Sequence, residues 1–216
     1  VTVQVDAAGQ PQYVIHEHVA WDRLAGESAA RSAVAGADAI CFGSLAQRAE
    51  PSRSTILSLV QATPPKALRI FDINLRQNFY TRPRIEESLA LANVLKVNDE
   101  ELPVLAEMFG LTRDERGGIA QLAVRHALTV ACTRGGRGSL LFREGQWSQH
   151  PGVETRVADT VGAGDSFTAA LALGLLAGWD LDSINERANR VAAFVASQPG
   201  ATPELPDTLR APFLTL

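Results

Sequence analysis

Apolar and polar positions alternate over the first fifteen residues, with Val1, Val3 and Val5 on one side of Ala7-Ala8-Gly9-Gln10-Pro11 and Tyr13 and Ile15 on the other. That alternation predicts a half-buried hairpin. From about Trp21 the pattern changes to helical periods separated by short apolar runs. It predicts helices over 27–34, 54–61 (stopped by Pro64-Pro65), 85–92, 102–109 and 119–126, and strands over 39–42, 68–71, 94–97 and 129–132. Strands with little alternation between amphipathic helices imply a mostly parallel sheet covered on both faces, an α/β fold. After Gly138 three strands are expected, at 139–142, 146–149 and 154–157, with Glu144-Gly145 as a turn. Two long helices over 163–177 and 184–196 follow, then a Pro/Gly-containing tail from Pro199. The 216 residues suit one core, without internal repeats or a linker between domains.

Composition narrows the function classes. A net charge of −4 does not suit a surface that neutralises many phosphates, so nucleic acid is not expected as a partner. No apolar stretch reaches the roughly 18 residues of a membrane span, and the first residues have neither a basic nor an apolar export region, so a soluble chain is expected. The two cysteines, Cys41 and Cys132, both lie in apolar runs and are expected to behave as small buried hydrophobes. No disulfide framework is indicated, and a reducing cytoplasm is the expected compartment. His16 and His18 are expected on a solvated face rather than at a metal.

The stretch that carries chemistry is Asp159-Thr160-Val161-Gly162-Ala163-Gly164-Asp165-Ser166-Phe167, between a predicted strand and an amphipathic helix. Glycines at a helix start let backbone N–H groups approach a ligand with no Cβ in the way. Those donors and the positive end of the helix dipole suit a phosphate. A carboxylate at Asp165 in the same turn can orient a hydroxyl for attack, which points to phosphoryl transfer to an alcohol. The same residues also fit a plain turn capped by Asp159 or Thr160, with Asp165 merely favourable in the first helical turn. No Walker-type loop or early dinucleotide fingerprint is present. Thr168 stands where a serine nucleophile elbow needs its second glycine, and no histidine follows Ser166.

This stretch resembles the C-terminal signature of the pfkB, or ribokinase-like, family of carbohydrate kinases. The resemblance implies that the backbone of Gly162, Ala163 and Gly164 forms the anion hole for the transferring phosphoryl group and that Asp165 is the catalytic base. Asn98-Asp99-Glu100-Glu101 resembles the family's Asn-x-x-Glu motif, implying that Asn98 belongs to the ATP site and that Glu101 reaches Mg2+ through water. Read alone, Asn98 and Glu101 fit a helix capping box equally well. Asp72-Ile73-Asn74-Leu75-Arg76 resembles a stretch of fructokinase-like members, implying Asp72, Asn74 and Arg76 at the sugar or its phosphate; read alone it is a turn with a solvated arginine. Thr133-Arg134-Gly135-Gly136-Arg137-Gly138 resembles the nucleotide turn, implying Thr133, Gly135 and Gly138 at ATP, although a Gly-rich turn before a strand needs no ligand. Asn189 and Ala192 fall where such kinases wrap adenine, and Asp159 falls near a monovalent cation, K+, held in some members.

The resemblance also implies a division of the chain. Residues 1–16 correspond to a hairpin from a β lid and 17–216 to a ribokinase-like α/β core, with 39–42 as an interior strand. The family's N-terminal strands, Gly-Gly-x-x-x-Asn-x-Ala signature and substrate aspartate are not found in this chain, roughly the first quarter to third of the pattern. A fragment or a degenerate paralogue is therefore expected, inactive by itself and folding poorly or associating because backbone edges and apolar faces are left open. For the intact protein the expectation is an ATP- and Mg2+-dependent sugar kinase of the fructokinase branch, with fructose or a related ketose as substrate and a homodimer formed through the lid. The alternatives are a nucleoside or 2-keto-3-deoxy-sugar kinase of the same fold and a non-catalytic nucleotide-binding paralogue.

Overall fold

The computed structural model describes residues 2–5 and 11–214. Strands β1 (Thr2–Val5) and β2 (Pro11–Val14) pair antiparallel as a separate two-stranded ribbon, so the hairpin expected from the alternation is present. Its turn and Val1 lie outside the described residues. His16 and His18 follow it, both exposed.

The main sheet has six strands in sequence order, β3 (Ala39–Phe42), β4 (Leu68–Asp72), β5 (Val94–Asn98), β6 (Thr129–Thr133), β7 (Ser139–Arg143) and β8 (Gln146–His150). β3 to β6 are parallel, while β7 and β8 add an antiparallel edge through short turns. The helices are α1 (Ser28–Ala35), α2 (Glu50–Gln61), α3 (Arg82–Leu91), α4 (Glu101–Phe109), α5 (Glu115–His126), α6 (Ala163–Leu176), α7 (Leu181–Ala196) and the short α8 (Asp207–Arg210).

Strand alternation sends side chains to two cores. Phe71, Leu95, Val97, Val130, Cys132 and Phe142 face one side, where Val60, Ile85, Leu89, Leu105, Ile119 and Leu122 of α2 to α5 cover them. Ile70, Val94, Ala131 and Leu141 face the other side, against Phe167, Leu171, Ile184, Ala188 and Val191 of α6 and α7. A mostly parallel sheet buried on both faces is thus the observed architecture.

Two expectations change. Residues 154–157 are not a strand: 151–162 is an irregular segment that leaves β8 and runs to α6, and Val157 is 59% exposed. The apolar Val-x-x-x-Val spacing there meets no neighbouring strand to pair with among the described residues. Cys41 is exposed rather than buried, because it lies on β3, an edge strand among the described residues. Its thiol is nonetheless pushed up to about 11, first by the surrounding protein and then by the charges of Asp72 and Asp165. Cys132 is buried as expected, its thiol pushed up to about 12 by burial.

Candidate active site

Asp72, Asn98 and Thr133 end the parallel strands β4, β5 and β6, so their chemistry collects along one rim of the sheet. Asp72 stands two residues beyond Ile70 and Lys96 two beyond Val94, which puts both on the face covered by α6. They are register partners, and the buried Lys96 Nζ donates to Asp72 Oδ1 at 3.2 Å. The Thr168 hydroxyl of α6 lies 2.9 Å from Asp72 Oδ2 and 3.0 Å from the Gly164 carbonyl. A charged pair this far inside is favourable only with its polar atoms satisfied, and here strand register and a helix hydroxyl satisfy them.

The first turn of α6 has the geometry of an anion site. Gly162 caps it in the left-handed region (φ +82°), and a Cβ there would lie 2.3 Å from the Ala201 carbonyl oxygen, so only glycine fits. The Ala163 amide donates to the Thr160 carbonyl and the Ser166 amide to the Gly162 carbonyl. The amides of Gly164 and Asp165 have no hydrogen-bond partner among the described residues. Two free donors therefore project from the positive end of a 14-residue helix. Asp159 braces this turn, accepting from the Val161 amide at 3.0 Å and the Gly200 amide at 3.3 Å.

Two clefts meet at that turn. One, of about 220 Å³, is lined by Thr133, Gly135, Gly138, Gly152, Ala163, Gly164, Asn189 and Ala192, among others. The other, of about 300 Å³, is lined by Trp21, Cys41, Ser44, Asp72, Asn74 and Asp165, among others. Consecutive residues thus serve opposite sides, Gly164 the first cleft and the exposed Asp165 the second. In the first cleft, the turn after β6 is tightened by bonds from the Arg134 amide to the Gly138 carbonyl (2.8 Å) and from the Gly138 amide to the Gly135 carbonyl (3.1 Å). A Cβ on Gly138 would lie 2.1 Å from the His150 carbonyl oxygen, because the chain leaving β8 crosses directly over it.

The remaining sequence candidates sit near the rim but outside the walls of both clefts. Glu101 is buried and accepts from the Asn98 amide (2.9 Å) and the Leu75 amide (2.8 Å), while Asn98 Oδ1 accepts from the amides of Glu100 and Glu101. The capping-box geometry is therefore present, and Glu101 also straps down the loop after β4. Burial pushes the Glu101 carboxyl up, opposed by those two amide bonds. Arg76 is exposed and donates to the carbonyl of Leu75 at 3.0 Å. Among the described residues no cluster of three or more His, Cys, Asp or Glu could hold a metal by itself, and no helix is long and apolar enough to cross a membrane.

Sequence reasoning passed over Lys96, Thr168, Trp21 and Gly152. Lys96 carried a usable signal, a lysine interrupting Val94-Leu95-Lys96-Val97 where an interior strand should be apolar throughout. Pro151-Gly152 marked the crossing over Gly138 as a turn, without its partner. Nothing local marked Trp21 or Thr168.

Comparison with known proteins identifies the family. The profile of the pfkB family carbohydrate kinases matches residues 1–208. A sugar kinase of Pyrococcus horikoshii is 30% identical over 220 residues, 97% of this chain and 67% of that protein. Its crystal structure superimposes with a TM-score of 0.78 at 28% identity, over 99% of this chain and 68% of the other. A second crystal structure of it is in complex with ATP. A fructokinase of Klebsiella pneumoniae is 35% identical over 141 residues, 62% of this chain and 45% of its own. The fructokinase of Vibrio cholerae in its fructose, ADP and calcium ion bound form superimposes with a TM-score of 0.70 at 25% identity, over 81% of this chain and 60% of the other. The chain thus spans about two thirds of the Pyrococcus protein and about half of the Klebsiella fructokinase.

Proposed function

Because the chain belongs to the pfkB family of carbohydrate kinases, we propose that the intact protein transfers the γ-phosphoryl group of ATP to a hydroxyl of a ketose, fructose or a close relative. The observation that carries this reading is the shared first turn of α6. It offers free amides to one cleft and the Asp165 carboxylate to the other, so a phosphoryl donor and an alcohol acceptor would meet across a single helical turn. In this reading the turn at Thr133, Gly135 and Gly138 holds the nucleotide, with Asn189 and Ala192 at its base. Asp72 and Asn74 orient the sugar, and Arg76 contributes at the rim.

Asp165 accepts the proton of the attacking hydroxyl, while the amides of Gly164 and Asp165 stabilise charge on the phosphoryl oxygens. The residues present fit Mg2+ bound mainly by nucleotide phosphates. The oxygens of Asn98 and Glu101 are engaged by amides and have capacity left for bridging waters rather than for direct ligation. When bound, the ion offsets negative charge on the phosphates. K+ near Asp159, a homodimer through the β1–β2 hairpin and a cytoplasmic location belong to the same proposal.

A nucleoside acceptor is the second reading, favoured by structural likeness to the aminoimidazole riboside kinase of Salmonella enterica (TM-score 0.69, 26% identity). ADP release measured across ketoses, aldoses and nucleosides separates the two. Asp165→Asn is expected to lower turnover roughly 10²- to 10⁴-fold. Equal turnover by wild type and variant would remove Asp165 as the base, and nucleotide binding without turnover on any acceptor would leave a non-catalytic paralogue.

A further inference from the structure

The loop after β4 is anchored on both sides of a strained residue. The Ile73 amide still bonds across to β5, donating to the Lys96 carbonyl at 3.1 Å, and the Ile73 side chain is fully buried. The Leu75 amide leaves the sheet and donates to Glu101 Oε1 at 2.8 Å, while the Leu75 side chain packs against the core on the α2 to α5 side. Between these anchors Asn74 stands in the left-handed region at φ +42°, where asparagine is among the few residues with a side chain that the backbone tolerates. Its carbonyl accepts from the Ser44 hydroxyl at 3.4 Å. Its side-chain amide has no hydrogen-bond partner among the described residues, and the residue lines the second cleft beside Asp72 and Asp165.

Glu101 does more at this loop than capping requires. It opens α4 and is 5% exposed, and its carboxylate is shared between the loop after β4 and the end of β5: Oε1 takes the Leu75 amide and Oε2 the Asn98 amide at 2.9 Å. A capping box accounts for the second bond alone. The first fixes a loop 26 residues away in sequence. Bonds to an ionised acceptor are the strong ones, so one buried carboxylate sets the spacing of both segments.

We propose that Glu101 is a positioning residue for the acceptor: through the Leu75 amide it holds Asn74 in its left-handed backbone and so presents the Asn74 carboxamide to the hydroxyls of the sugar. A carboxamide both donates and accepts, which suits adjacent hydroxyls. The inference rests on the reading of the second cleft as the acceptor site, and it is separate from any bridge to Mg2+ through water. Only Asn74 touches the sugar, and Glu101 acts through it.

The test is calorimetric affinity of the full-length protein for fructose, in EDTA and without nucleotide, so that no divalent ion takes part. Glu101→Gln keeps the size of the side chain but replaces one acceptor oxygen with a donor, which releases one of the two amides. It is expected to weaken fructose binding roughly tenfold. Asn74→Ala should weaken it by a similar factor, and Glu101→Gln made in that background should cost almost nothing more, because the two act through one contact. Hydrogen exchange gives a readout in wild type itself: the Leu75 amide should exchange slowly, in step with the Asn98 amide, and should lose that protection in Glu101→Gln. Thermal melts confirm folding, and where Glu101→Gln does not fold, exchange at Leu75 in wild type together with Asn74→Ala decides. Fructose affinity in EDTA unchanged by Glu101→Gln or by Asn74→Ala, losses that multiply in the double variant, or rapid exchange at Leu75 in wild type overturns the positioning role while the acceptor site stands. No fructose binding by wild type overturns the ketose reading of the cleft, and the inference with it.

Discussion

The two clefts are built to different standards of enclosure. Around the nucleotide-side cleft, α7 buries eight of its residues and α6 five, and β7 is buried at four of its five positions. Around the other cleft, β3 is an edge strand of the described sheet with one buried residue, Phe42. Leu173 and Leu176 of α6 are also exposed, at 36% and 44%. In the proposed reading the chain would enclose the phosphate and base ends of a nucleotide with its own side chains, whereas the acceptor would meet Asp72, Asn74 and Asp165 beside an edge of the described sheet. On that reading, affinity for nucleotide is expected to be largely a property of the residues around the first cleft.

That contrast can be broken most sharply at the sugar-side floor. Lys96→Met strands the buried Asp72 carboxylate and is expected to cost about 3 kcal/mol or more of unfolding free energy, read by chemical denaturation. Pairing it with Asp72→Asn should recover most of that loss, because the uncompensated charge is gone. A single variant within 1 kcal/mol of wild type would mean that the pair is solvated in the intact protein.

On the nucleotide side, Gly162→Ala must hold a Cβ against the Ala201 carbonyl in a left-handed backbone. A loss of about 2 kcal/mol is expected, with weaker ADP binding by calorimetry. Unchanged ADP affinity would detach the anion turn from the nucleotide cleft.

The smallest expected effect lies where the hairpin joins the core. Arg48 donates to Asp22 Oδ1 at 2.7 Å and Oδ2 at 2.8 Å, stacks over Phe79, and reaches the His16 carbonyl at 2.5 Å. The guanidinium holds the Asp22 carboxyl at about 2, below the ordinary 3.8. A depressed folded-state value stabilises above the unfolded one, so this contribution is complete above about pH 4 and is lost as pH falls through about 2. Asp22→Asn should cost about 1 kcal/mol at pH 7, allowing for solvent screening, and the two proteins should converge only as pH falls below about 2. A pH-independent difference would assign the loss to packing around Trp21.

Much of the fold was legible along the chain because its signals are local. Nearly every helix and strand after Trp21 falls within a few residues of where periodicity and Pro or Gly punctuation put it, and the Gly-rich turn before α6 has the free amides its glycines suggested. The segment 154–157 failed for a non-local reason: apolar spacing makes a strand only where a partner strand is at hand. Asn98 and Glu101 illustrate the same boundary within the site, since their spacing fits a cap and an ion motif alike, and the observed cap leaves the water-bridged role to experiment.

By itself the sequence determined the alternation of elements, the two-sided core and the anion turn, all of which depend on neighbours a few residues apart. The tertiary structure alone decided that Asp72 meets Lys96 and Thr168, that Gly138 is crossed by the chain leaving β8, and that the Asn189 amide nitrogen donates to Ser139. Those outcomes are set by strand register and helix docking between segments distant in sequence. A side chain's hydrogen-bonding partner, and hence the chemistry it has left to offer, is fixed only once those segments have met.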